Sequence, residues 1–267
     1  MSLIHGMSDA EYHALPALSS SGARDLLPER KGSPLTFQWK RANPRTSRAF
    51  DLGHAVHAKV LGVGTGIVTY PDEHLTPSGN PSTKAATVAW ESEQRDLGLT
   101  VVSPGDAARV DAMTEAVLSH ERAAKLLERA PHREVSVFAD VDGVPCRARF
   151  DALGDGIALD LKTTEDATRD GFRRSVRSWG YEVQEAFYRD VFRASEGHDV
   201  GEFWFLLVEK SGAHEVATFP LTDQWVRMGH EQAARAREVF RACTASGVWP
   251  GRDEGDTPIE PPIGAVF

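Results

Sequence analysis

From Arg133 to Thr164 hydrophobic and polar residues alternate in three runs. REVSVFAD (133–140) alternates, VDGVP contains an Asp-Gly turn, CRARFDAL (146–153) alternates again, and Gly154-Asp155-Gly156 leads into IALDLKTT (157–164). A period of two is the side-chain repeat of a strand, so the stretch predicts a meander of three strands joined by tight turns. GEFWFLLVEK (201–210) reads as a further, more apolar strand.

Elsewhere the period is helical. Ser8 with Glu11 has capping-box spacing, and Ser19 to Ser21 precede Ala23 to Leu27, so two short helices are expected. SRAFDLGHAVHAKVLG predicts a helix that offers Phe50, Ala55, Ala58 and Leu61 to a core and ends at Gly62 and Gly64. Further helices are expected over 87–96, over 103–130 as one long element with Val110, Met113, Val117 and Leu118 inward, over GFRRSVRSWGYEVQEAFYRDVFRA (171–194), and over 223–246. Residues 71–85 lack periodicity and read as a mobile loop containing Lys84, either a lid over a ligand or disordered. The tail 250–262 reads as extended. The result is an α/β chain read as one domain over 1–267, mainly helical over 1–130, with the sheet and a C-terminal helix over 131–267.

The central question lies in IALDLKTT, where Asp160 and Lys162 interrupt a buried apolar strand. Burial of either charge is unfavourable by several kcal/mol unless it is compensated. Asp160 and Lys162 project to one face, while Leu159 and Leu161 project to the other. Arg147, Arg149 and Asp151 likewise share a face of the preceding strand, and the turn at 154–156 can set Asp151 beside Asp160. Two carboxylates with the backbone carbonyl of Leu161 make a hard oxygen set suited to Mg²⁺ or Mn²⁺. Lys162 would then position an attacking water or neutralise a phosphate; the alternative is a plain Asp-Lys pair on an edge strand. Arg147 and Arg149 either meet phosphate or offset the carboxylates. Tyr181, Gln184 and Tyr188 fall on one helical stripe, as site residues or as core. His54 and His57 share a face, His57 being favoured as a ligand. Trp179 and Trp204 read as packing residues rather than base-stacking platforms.

Composition narrows the function. A net charge of −9 excludes a protein that coats nucleic acid through a basic surface, but not a nuclease whose acidic site is neutralised by cations. Arg24, Arg30, Lys31, Lys40, Arg41, Arg45 and Arg48 crowd one segment, as a local track for DNA or as a solvated helical surface. Two distant cysteines, Cys146 and Cys243, exclude a disulfide scaffold and four-cysteine metal sites. Neither a spanning segment nor a signal-like start is visible, so no membrane partner and a cytoplasmic location are expected.

Taken in order, YHALPALSSSGARDLL, SPLTFQW, LGHAVHAKVL, CRARFDAL, ALDLKTTEDA, YEVQEAFYRD and FLLVEK resemble the RecE-like (exonuclease VIII) branch of the PD-(D/E)xK nucleases, across nearly the whole chain. The resemblance implies a restriction-endonuclease-like core with a central mixed sheet flanked by helices. It implies His57, Asp151 and Asp160 as metal ligands, Lys162 as the catalytic lysine, and Gln184 and Tyr188 as the Gln-x-x-x-Tyr motif, with Glu134 beside the metals. It further implies a Mg²⁺- or Mn²⁺-dependent exonuclease acting 5′ to 3′ on linear double-stranded DNA ends. A ring-shaped homo-oligomer and a single-strand annealing partner in phage-type recombination are implied as well. A nuclease of other polarity or endonucleolytic habit, or a non-catalytic DNA-binding protein, is the alternative.

Overall fold

A computed structural model describes residues 3–43, 48–64 and 66–252. The helical part opens with α1 (Asp9–Ala14), α2 (Ser20–Leu26), α3 (Pro34–Ala42) and α4 (Arg48–Leu61). The capping box of α1 forms as expected, with Ser8 and Glu11 satisfying each other's amides. Strand β1 (Ile67–Thr69), α5 (Ala85–Asp96) and β2 (Thr100–Val102) follow, and β1 pairs with β2 in parallel. These strands of three residues are too short to leave a periodic signal. Between them residues 71–85 are organised: a 3₁₀ turn spans Asp72–His74, Leu75 bridges Pro81, and Thr76 bonds Asn80 through backbone and side chain. Of the two expectations for this loop, an ordered lid or a disordered segment, these local bonds favour the ordered one without showing a lid.

Two expected long helices are each divided. Residues 103–130 form α6 (Pro104–Ser119) and α7 (Glu121–Arg129), because His120 is extended and its Nδ1 accepts the Ala123 amide as an N-cap. Leu118, expected inward, is 48% exposed, whereas Val110, Met113 and Val117 are buried. The second division comes after β3 (His132–Val141), β4 (Val144–Gly154) and β5 (Ile157–Thr164). There α8 (Arg169–Trp179) and α9 (Tyr181–Glu196) are separated by Gly180, whose φ of 67° lies in the left-handed region that ends helices. The chain closes with β6 (Glu202–Glu209), β7 (Val216–Phe219) and α10 (Asp223–Ser246).

The five-stranded sheet runs β3-β4-β5-β6-β7, antiparallel except for the parallel pair β5-β6, which α8 and α9 connect. Both faces are covered, so β5 reads as a near-continuous apolar run. One face carries Val137, Ala148, Phe150 and Phe205 against α2, α9 and α10. The other carries Ala152, Leu159, Leu161 and Leu206 against Leu52, Ala55 and Val56 of α4, Met113 of α6 and Leu126 of α7. Ala58 is only half-buried, and the Phe50 side chain lies outside the described residues. Cys146 and Cys243 are both free and buried.

Candidate active site

The site forms where β4 and β5 part. Their ladder covers only Ala152↔Leu159, Leu153↔Ala158 and Gly154↔Ile157. Beyond it the Leu161 amide has lost its strand partner and donates to Asp151 Oδ2 at 2.7 Å instead. The splay makes room, and the side-chain bond fixes Asp151 at its edge. Asp160, 2% exposed, faces α9, where Gln184 Nε2 donates to its Oδ1 at 2.6 Å. Lys162 Nζ pairs with Asp160 Oδ2 at 2.6 Å and stands 5.0 Å over the Tyr181 ring. Alternation along β5 thus delivers both charges to one face, as the sequence pattern requires.

Helix α4 crosses the opening and brings His57 Nδ1 to 3.5 Å from Asp151 Oδ2. From β3 comes Glu134. Its φ of 49° departs from extended geometry between the paired positions Arg133↔Ala152 and Val135↔Phe150. For a residue with a side chain this conformation is strained by about 1–3 kcal/mol. Ligand atoms of His57, Glu134 and Asp151 lie within 4.8 Å of one another. Asp160 is not part of this triple; its two oxygens are turned to Gln184 and Lys162. Glu134, Asp151, Asp160, Lys162, Gln184 and Tyr188 all line one cleft of about 280 Å³, together with His54 and His57.

The electrostatics fit a cation. Burial, reinforced by Asp151, pushes the Glu134 carboxyl up to about 7, and burial also raises Asp160 against the pull of Lys162. On Lys162 burial acts downward but the flanking Asp160 and Asp151 outweigh it, so its ammonium is held above its ordinary value. Asp160 and Asp151 share Lys162 as a charged neighbour, while Arg149 lies 3.9 Å from Glu134. One imidazole and several carboxylate oxygens converging in a half-buried cleft make a donor set that a divalent cation would satisfy.

A family model described as "PDDEXK-like domain of unknown function (DUF3799)" matches residues 82–257. The chain belongs to this family. Among solved structures it is similar to the "Putative exonuclease" of Eubacterium rectale, 16% identical over 98% of this chain and 96% of that chain, with a TM-score of 0.66. At that identity the likeness shows a shared fold. LHK-Exo, solved in complex with dAMP, is 15% identical over 75% of this chain and 96% of that one, at a TM-score of 0.25 too low to carry an argument. None of the curated proteins matches.

In this PDDEXK-like domain several of the charges considered for DNA contact have partners within the chain. Arg147 donates to the Tyr12 and Leu15 carbonyls, and Arg149 to Ser136 Oγ, the Met7 and Ser8 carbonyls and Asp9, so both tie residues 7–15 to the sheet. Tyr12 lies beneath both guanidiniums, 4.8 and 4.1 Å from its ring centre. Of the basic segment, Arg24 bonds the Trp179 carbonyl, and Arg30 pairs with buried Glu182 and bonds Gln232. Lys40 pairs with Asp25; Arg45 and the Arg48 side chain lie outside the described residues. Tyr188 packs edge-on against Phe150 at 5.1 Å while lining the cleft, so it is both core and site. Trp204 packs under Arg122 at 4.7 Å, but Trp179 is 63% exposed and not the packing residue expected. Sequence reasoning did not foresee Asp9, which lines the same cleft. Among the described residues no helix is long and apolar enough to cross a membrane.

Proposed function

We propose that this chain is a divalent-metal-dependent deoxyribonuclease that degrades linear double-stranded DNA from its ends. The observation that carries the reading is the Asp160-Lys162 pair held beside the His57, Glu134 and Asp151 cluster. His57, Glu134 and Asp151, joined by Asp160 and the Leu161 carbonyl, would hold Mg²⁺ or Mn²⁺, and the imidazole favours Mn²⁺. Such an ion acidifies water and offsets charge on phosphoryl oxygens. Lys162 orients the attacking water or neutralises the phosphate, as its shared face with Asp160 allows. Gln184 fixes the Asp160 carboxylate, and Tyr188 closes the floor of the cleft beside it.

The 5′ to 3′ direction, a 3′ single strand passed to an annealing partner, a ring-shaped oligomer and a cytoplasmic location follow from the RecE-like resemblance, which is their support. An endonuclease built on the same fold is the second reading, since the charge cluster specifies phosphodiester hydrolysis and not the entry point. The test is purified protein on linear duplex labelled at either 5′ end, with Mg²⁺, Mn²⁺ or EDTA, beside closed circular DNA and Asp160→Ala. Metal-dependent loss of the linear form alone, abolished by the substitution, is expected. Cutting of the circle would favour the endonuclease, and intact DNA under every condition would overturn the reading.

A further inference from the structure

A second space, of about 770 Å³, adjoins the candidate site and shares His54, His57 and Lys162 with it. Its lining differs in kind. Hydroxyls of Thr163, Ser175 and Ser178, the cations Arg174 and Lys210, and Trp179 face it, and its two carboxylates, Asp166 and Glu165, are the partners of those cations. Both cations are held loosely: Arg174 pairs with Asp166 and Lys210 with Glu165 in ion pairs open to solvent, which yield readily to a phosphate.

The two aromatic residues of this space are differently committed. Tyr181 stacks on Phe205 and Phe172, with ring centres at 5.6 and 6.2 Å. Trp179 has no ring partner among the described residues and is 63% exposed, which leaves roughly 150 Å² of an amphipathic ring in water. Its backbone is nonetheless fixed. It ends α8, its carbonyl accepts from Arg24, and the next residue is Gly180, where a side chain would meet Arg24 Cδ at 2.8 Å. A rigidly placed, bare aromatic beside cations and hydroxyls is what a nucleotide chain is held by, and stacking of this kind tolerates any base.

We propose that Trp179 is a base-stacking platform for a nucleotide next to the scissile phosphate, with Arg174 and Lys210 receiving the neighbouring phosphate. The proposal rests on the nuclease reading for what is cut and stands separately from it for what is bound.

Wild type, Trp179→Phe and Trp179→Ala are compared on linear duplex with ordinary ends and with ends carrying abasic sugars, and each protein's sedimentation is recorded. Trp179→Ala should raise KM about tenfold with kcat nearly unchanged, Trp179→Phe should recover most of the loss, and all three should converge on abasic ends. The same proteins are titrated in EDTA with an oligothymidylate single strand while intrinsic fluorescence is followed, and the quenching should depend on Trp179. Trp179-dependent quenching from a wild type that cleaves nothing would sink the nuclease reading and leave the platform standing. An equal KM for Trp179→Ala on ordinary ends, an equal loss on abasic ends, or no Trp179-dependent quenching overturns the platform. So does a loss that tracks a fall in sedimenting mass, which would make Trp179 a contact between subunits.

Discussion

Gln184 Nε2 and Asp160 Oδ1 lie 2.6 Å apart although 24 residues separate them in sequence. Lys162 Nζ meets the other Asp160 oxygen at 2.6 Å, so a carboxylate enclosed by the core is gripped from α9 on one side and from its own strand on the other. Fixing a charged group through hydrogen-bonding neighbours is how a site is preorganised.

Gln184→Leu keeps the volume and removes the donor. It should lower stability by about 1–3 kcal/mol, because a buried carboxylate oxygen is left unpaired, and weaken Mn²⁺ binding and turnover about tenfold or more. Urea denaturation and calorimetric titration read the two effects. If neither moves, Gln184 is only filling space.

Lys162→Met should reduce turnover by at least ~10²-fold while Mn²⁺ binding persists, since the substitution removes no proposed ligand, although it frees the Asp160 oxygen that Lys162 holds. Asp160→Ala should lose both. A lysine variant that bound no Mn²⁺ yet kept its circular dichroism would place Lys162 in the metal cradle and out of the chemical step.

Glu134 tests strain against function. Glu134→Gly admits the left-handed backbone at φ 49° without a side chain and removes a carboxyl that burial pushes up to about 7. The variant should melt at or above the wild-type temperature, yet bind Mn²⁺ roughly tenfold more weakly if the residue contributes as an outer partner or ligand. A lower melting temperature with unchanged Mn²⁺ affinity would mean that Glu134 serves the fold alone.

Glu185 supplies a pH signature of its own. Burial, only partly offset by Arg189, pushes its carboxyl up to about 7 from an ordinary 4.5. Between those values the folded chain holds a proton that the unfolded chain has released. Its contribution to stability therefore falls as pH rises through the window, and the penalty is fully present above 7. Glu185→Gln should gain on the wild type by roughly 1–3 kcal/mol between pH 4.5 and 7.5. A difference that stays flat across that range would show that Arg189 fully compensates the charge.

Much of this protein is legible without coordinates because its strongest signals are local. Period-two runs mark β3 to β5, Ser8 and Glu11 mark the first cap, and β alternation alone puts Asp160 and Lys162 on one face and Leu159 and Leu161 on the other. Gly180 could have been read as a stop between α8 and α9, since Trp-Gly ends a helical run; His120, which is neither glycine nor proline, leaves no such sign. What the tertiary structure decided depends on partners distant in sequence. The common spacing of Arg147, Arg149 and Asp151 does not reveal that the arginines are taken by carbonyls of residues 7–15 while Asp151 takes the amide of Leu161. Nor can a pattern show that a left-handed turn in β3 aims Glu134 at His57 and Asp151, or that Trp179 stays bare while half-buried Tyr181 is taken up by stacking. Alternation fixes the direction in which a side chain leaves its own strand; what it meets there is set by which other segments the core brings across.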